Sequence, residues 1–139
     1  MAADMQATYG SLRRKSSKLI PVRYGKSEYI VGLTGSILSG QIMLDWIRKG
    51  RKPDQFPAIQ QTDDWCRVIL GEVGTGKVWY YDRIPIPIPI LDEFGAWGSA
   101  EELALGVLAM HGTAYQAVEV AIKFNTDCGF GVEEYPLIS

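Results

Sequence analysis

The most explicit chemical motif in the chain is Gly71-Glu72-Val73-Gly74-Thr75-Gly76-Lys77, which matches most of a phosphate-binding loop. Such a loop works when its amides and a following helix dipole meet phosphate, with a Ser or Thr after the lysine to hold magnesium. Here that next residue is Val78, and Val78-Trp79-Tyr80-Tyr81 reads as a strand, so the motif is expected to be a hairpin turn. His111 is the sole histidine, and a Ser-His-Asp or Cys-His mechanism would depend on it entirely. Nothing places a nucleophile near it, and a position close to a helix C-terminus suits a structural role. Asp63-Asp64, Asp92-Glu93 and Glu133-Glu134 read as solvated loop charges, without the regular spacing of calcium or magnesium loops. Cys66 and Cys128 are too few for a disulfide scaffold, and no Cys/His spacing resembles a zinc site. No metal or organic cofactor is expected.

Composition narrows the remaining classes. A chain of 139 residues fits one domain, residues 1–139, with one sizeable core. Hydrophobic residues at 47% and charged residues at 22% are ordinary for a folded protein and exclude a disordered one. No apolar run reaches the length of a membrane-spanning helix, and the start lacks the pattern of a signal peptide, so a soluble cytoplasmic protein is expected. A net charge of −2 gives no global reason to expect nucleic acid as a partner. Of the two basic clusters, Arg13-Arg14-Lys15 with Lys18 and Arg48-Lys49 with Arg51-Lys52, the second follows a helical pattern whose C-terminus favours cations.

The elements that must position any site follow from periodicity. The first forty residues read as strands, with turns at Gly10-Ser11 and Tyr24 to Ser27 and a buried run at Tyr29 to Leu33. A helix is expected from about Ser36 to Lys49, stopped by Gly50 and Pro53, then a polar loop with one helical turn up to residue 64. Trp65 to Glu72 and Val78 to Asp82 read as a hairpin around Gly74-Thr75-Gly76. The run Ile84-Pro85-Ile86-Pro87-Ile88-Pro89-Ile90 lacks amide donors at its prolines, so it is an edge or connector with isoleucines on one side. Ser99 with Glu102 and Thr113 with Gln116 both fit capping boxes. The first would open a helix with a Leu103, Val107 and Met110 stripe ending at Gly112; the second, a helix to Phe124 with Val118 and Ile122 on one face and Ala114, Ala117 and Ala121 on a small face. Gly129 to Leu137 returns to strand composition. Trp46, Trp65, Trp79 and Trp97 are assigned to the core.

Several segments, in order, resemble the proteasome β-subunits and their bacterial HslV relatives. Ala3-Asp4-Met5-Gln6-Ala7-Thr8 is similar to the family's second strand, and Ser17-Lys18-Leu19-Ile20 to the strand bearing its lysine. Gly32-Leu33-Thr34-Gly35-Ser36 resembles its strand-to-helix corner, and Ala96-Trp97-Gly98-Ser99-Ala100 the segment opening its third helix. Ala117 to Gly129 resembles the last helix and the following aspartate-serine-glycine turn. The resemblance covers nearly the whole chain. It implies an α+β, four-layer αββα Ntn-hydrolase sandwich, nearest the miniature bacterial or phage-type members, with the first strand and most of the second helix missing.

The function so implied is peptide-bond hydrolysis by a subunit of a homo-oligomeric ring, acting on peptides or unfolded proteins, with an ATP-dependent unfoldase as a candidate partner. In such enzymes an N-terminal Thr, Ser or Cys attacks the carbonyl while its own α-amine takes the proton. The resemblance assigns Lys18 to the nucleophile's side, Asp4 to holding Lys18, the Gly35 amide to the oxyanion, and Ser99 to orienting the amine. The family's later aspartate matches Asn125, with Asp127 as the alternative. Only Met1, Ala2 and Ala3 precede Asp4, so the nucleophile is absent from the sequence and the chain as written is expected to be inactive. On the residues alone, Asp4 and Lys18 also read as ordinary surface charges, Gly35 as a tight corner and Ser99 as an N-cap. A non-catalytic assembly or binding subunit is the alternative function, and an Ntn amidase for a small amide a third.

Overall fold

The computed structural model describes residues 1–138. In chain order the elements are β1 (Ala2–Asp4), β2 (Gln6–Tyr9), β3 (Leu12–Lys15), β4 (Leu19–Tyr24), β5 (Ser27–Gly35), α1 (Ile37–Arg48), β6 (Cys66–Glu72), β7 (Val78–Tyr81), β8 (Ile88–Pro89), α2 (Glu101–Ala109), α3 (Ala114–Phe124) and β9 (Val132–Glu134). Contacts divide the chain into two units, Met1–Leu19 with Asp92–Tyr135, and Ile20–Leu91 with the segment from Pro136.

The second of these units is built on a five-stranded sheet in the order β4-β5-β6-β7-β8. The apolar run at Tyr29 to Leu33 lies in β5, which pairs antiparallel with β6 from Tyr29↔Glu72 to Gly35↔Cys66. Strand β6 pairs in turn with β7, from Val68↔Tyr81 to Gly71↔Val78. The glycine-rich motif is therefore a hairpin turn, because a strand follows it where a phosphate site would need a helix. Helix α1 starts at Ser36, whose hydroxyl accepts from the Ser39 amide, and its Met43, Leu44, Trp46 and Ile47 join Val31, Val68, Leu70 and Tyr81 in the core. Trp46 meets the edges of Phe56 and Tyr81 and donates through Nε1 to the Lys52 carbonyl at 2.9 Å. It is the tryptophan that fulfils the core assignment; Trp65, Trp79 and Trp97 are only half-buried. Two short 3₁₀ turns, Pro53–Gln55 and Ala58–Gln61, occupy the stretch expected to hold one helical turn.

Both edges of this sheet carry proline. Pro21 sits in β4 and Pro89 in β8, the two edge strands, where a missing amide is best tolerated. The isoleucines of the Ile-Pro run do not form one buried row: Ile84 and Ile86 are exposed, Ile88 and Ile90 half-buried.

Cys66, 1% exposed, lies in this core, and burial pushes its thiol from 9.0 up to about 11. The folded chain therefore keeps this proton after the unfolded chain has lost it. Stability should fall as pH rises from 9.0 to about 11, by on the order of 2 kcal/mol in all. Cys66→Ala should remove that slope in urea titrations across the window; an unchanged slope would assign it to other groups.

The other unit holds two two-stranded ribbons and a helical hairpin. β1 pairs antiparallel with β9, Asp4 opposite Val132 and Ala3 opposite Glu133. β2 and β3 form a hairpin through Gly10, whose φ of +59° suits glycine. Helix α3 opens with a complete capping box: the Thr113 hydroxyl accepts from the Gln116 amide while the Gln116 side chain accepts from the Thr113 amide. Of its small face, Ala117 and Ala121 are buried and Ala114 only half-buried, and the helix packs on β1 and β9.

Helix α2 departs from expectation at both ends. Its N-cap is Ala100 with no side-chain bond, so Ser99 caps nothing. At the other end His111, at φ +65°, takes the left-handed position expected of Gly112. Gly112 is needed for space instead, since a Cβ there would lie 2.5 Å from the Val107 side chain. The expected apolar stripe is not buried either: Met110 is 82% exposed and no α2 residue is fully covered.

Candidate active site

Asp4 closes β1, and its backbone register against Val132 sets where its side chain starts. The carboxylate is 8% exposed and fully engaged. Its Oδ1 accepts from Lys18 Nζ at 2.6 Å, and its Oδ2 accepts from the amides of Gln6 and Gly129, each at 3.1 Å. A buried carboxylate is tolerable only with such a set of donors, and charge-assisted bonds of this kind are the strong ones. The surface-charge reading of Asp4 and Lys18 therefore fails on geometry.

Lys18 reaches Asp4 from the segment between β3 and β4. The Ser16 amide ties that segment to the Met5 carbonyl at 2.8 Å. A second carboxylate holds it further along: Glu133 on β9 accepts from the Lys18 and Leu19 amides and from the Ser17 hydroxyl. This corrects the reading of Glu133 as a solvated loop charge.

The turn after α3 bonds to the same strands, its Gly129 amide reaching Asp4 Oδ2. Asn125 caps the helix, accepts at Oδ1 from the Asp127 amide at 2.8 Å, and donates from Nδ2 to the Ser99 carbonyl at 3.3 Å. Gln6 donates from Nε2 to the Thr126 carbonyl at 3.0 Å, and Gly129 returns the contact through its carbonyl to the Met5 amide. A Cβ at Gly129 would meet Gln6 Oε1 at 2.5 Å, so a side chain there would displace the Gln6 amide group. Cys128 is half-buried in this turn. Burial first, then the Asp4 charge, push its thiol up; the Ser99 hydroxyl and the Lys18 charge pull the other way.

Of the residues singled out in the sequence, Asp4 and Lys18 are thus in direct contact, and Asn125 bonds Ser99. Asp127 lies in the same turn with its side chain exposed. Gly35 belongs to the other unit, at φ +107°, with no room for a Cβ: it would approach the Trp65 carbonyl to 3.0 Å. Cys128, Glu133 and Gln6 were not singled out. The serine-like position before Gly129 could have flagged Cys128; nothing local flags the other two. Chemically, the arrangement holds one ammonium against a buried carboxylate, with the Cys128 thiol near enough to feel both charges. A fixed cation of this kind lowers the pKa of neighbouring groups and steadies developing negative charge.

No protein-family model and no curated protein matches the chain by sequence. Solved structures do. The chain is similar to the Thiobacillus denitrificans BPH, at 19% identity and a TM-score of 0.70, covering 99% of this chain and 91% of that one. It is similar to the eukaryotic HslV from Trypanosoma brucei, at 16% identity and 0.68, covering 95% and 88%. It is similar also to Anbu, the ancestral beta-subunit, from Yersinia bercovieri, at 14% identity and 0.70, covering 94% and 73%. The chain has the α+β fold of the proteasome-like Ntn-hydrolases.

Proposed function

We propose that this chain is a proteasome-like Ntn-peptidase subunit in which Lys18 is the cation beside an N-terminal nucleophile. The observation that carries this reading is the 2.6 Å contact between Lys18 Nζ and Asp4 Oδ1, locked by two backbone amides, in a chain of this fold. The chemistry requires a mature chain whose first residue is Thr, Ser or Cys. Its hydroxyl or thiol attacks the peptide carbonyl and its α-amine takes the proton, then hands it to the departing amine as the C–N bond breaks. Water cleaves the resulting ester or thioester and regenerates the enzyme. Lys18 favours the free α-amine and the ionised nucleophile through its charge. Ser99, with Cys128 and Asn125 or Asp127 around it, orients the amine by hydrogen bonding.

The test is a chain carrying an additional first strand led by Thr, assayed on unfolded casein and fluorogenic peptides. Lys18→Ala should lower turnover at least about a hundredfold. It should do so without unfolding the chain, because Asp4 keeps its two amide donors. Turnover that survives the substitution would sink the reading.

A non-catalytic assembly subunit is the second reading, favoured by the exposed apolar side chains Leu103, Leu105, Met110, Tyr115 and Phe124 on and around α2 and α3. Both readings place this chain in a homo-oligomer, a ring in the first case with an ATP-driven unfoldase as a possible partner. Assembly without turnover in the Thr-led chain would favour the second.

A further inference from the structure

We propose that Glu133 is the positioning residue of Lys18, fixing the root of the side chain whose tip Asp4 holds. The inference rests on the reading of Lys18 as the cation of the site. Three contacts carry it. Glu133 Oε1 accepts from both consecutive amides, Lys18 and Leu19, and Oε2 accepts from the Ser17 hydroxyl at 2.7 Å. Ser17 Oγ lies 3.0 Å from the Leu19 carbonyl as well, so the hydroxyl joins the clamp to the strand that follows.

One carboxylate thus binds three successive residues, and Lys18 is the middle one. Glu133 itself is fixed by the β1–β9 register opposite Ala3, the residue before Asp4. The two carboxylates therefore stand on neighbouring strands of one ribbon. A shift of the Ser17–Leu19 segment along that ribbon would carry Nζ away from Oδ1. A lysine side chain has four rotatable carbons and no geometric preference of its own, so Asp4 alone can follow it through many positions. The backbone clamp removes that freedom. Positioning of this kind matters to chemistry because misplacement by about 1 Å of a catalytic group is costly.

The bonding pattern separates reach from charge. In Glu133→Gln, Oε1 still accepts both amides and the new amide group still meets Ser17. In Glu133→Asp the charge remains, but the chain is one methylene short of the two amides. In Glu133→Ala nothing is left.

The readout is acylation of individual lysines by an N-hydroxysuccinimide ester, followed peptide by peptide by mass spectrometry, which needs no peptidase activity. Asp4→Asn serves as the reference for a released Lys18, and Lys77 as the internal standard. Glu133→Ala and Glu133→Asp should raise Lys18 labelling about tenfold relative to Lys77, the factor expected from losing charge-assisted contacts, and Glu133→Gln should stay within about twofold of the parent. Equal labelling in parent and Glu133→Ala would overturn the proposal. If Glu133→Ala does not fold, the order of the other two decides it: labelling greater in Glu133→Gln than in Glu133→Asp means the charge, not the reach, is what acts. In the Thr-led chain, turnover should fall with Lys18 labelling across this series. Labelling that follows the predicted order in a chain inactive even as the parent would leave the clamp standing and remove the peptidase reading.

Discussion

Replacing Asp4 with alanine should cost about 3 kcal/mol of folding stability, seen as a lower urea midpoint with an unchanged slope. The argument is one of stranded partners. Asp4 is 8% exposed and receives three donors, the Lys18 ammonium and the amides of Gln6 and Gly129. Removing it leaves two amides without an acceptor at the meeting point of β1 and the turn after α3, and a cation whose side chain is 31% exposed. The converse substitution should be mild. Lys18→Met leaves the carboxylate with both amides, and the ammonium it removes is partly solvated, so about 1 kcal/mol or less is expected. Asp4→Asn should fall between the two, since one amide oxygen can serve the backbone donors while its NH₂ confronts the ammonium. Equal losses in Asp4→Ala and Lys18→Met would mean that the ion pair, and not the backbone clamp, is what Asp4 provides.

A loss of similar size is expected within the other unit, at Gln60. Its side chain is fully buried at the second 3₁₀ turn and makes a three-point bridge. Nε2 donates to the carbonyls of Cys66 and Asp82, each at 2.7 Å, and Oε1 accepts from the Cys66 amide at 3.0 Å. The start of β6 and the end of β7 are thereby held by one residue of the loop before them. Gln60→Ala should cost about 3 kcal/mol, through one orphaned amide, two orphaned carbonyls and the space left behind. For a chain of this size that corresponds to a drop in melting temperature of roughly 10 °C. Gln60→Glu tests the mechanism, because it keeps the volume and the acceptor but loses both donors and buries a charge. It should be no better than alanine. A Gln60→Glu protein as stable as the parent would show that volume alone matters there.

These residues mark the boundary of what the chain discloses before folding. Patterns closed within a few residues were legible. Thr113 and Gln116 made their capping box, Ala117 and Ala121 their buried face, and the Gly74–Gly76 turn its hairpin. The prolines of the Ile-Pro run placed it at a sheet edge. Ser99 and Glu102 have the same local pattern as Thr113 and Gln116, yet the helix begins after Ala100. One difference is a partner that spacing does not encode: Asn125 donates to the Ser99 carbonyl. Asp4 and Lys18, fourteen residues apart, were picked out through resemblance and not through any periodicity. Glu133 reaches Lys18 across 115 residues, and beside Glu134 it has the look of a loop charge. A glutamine on a short strand or in a polar loop, such as Gln6 or Gln60, carries no signal of burial. What makes them matter is an unpaired backbone group elsewhere, and such groups exist only once the strands have met.

The prolines at the two borders of the five-stranded sheet also decide how this protein can meet others. Pro21 interrupts the donor row of β4, and Pro85, Pro87 and Pro89 do the same along the run that ends in β8. Neither border offers an unbroken ladder to a passing extended chain, so β-augmentation and domain-swapped sheet growth are disfavoured at both. An extended polypeptide that approaches this sheet must be recognised by side chains, or find its backbone partners on a different ribbon.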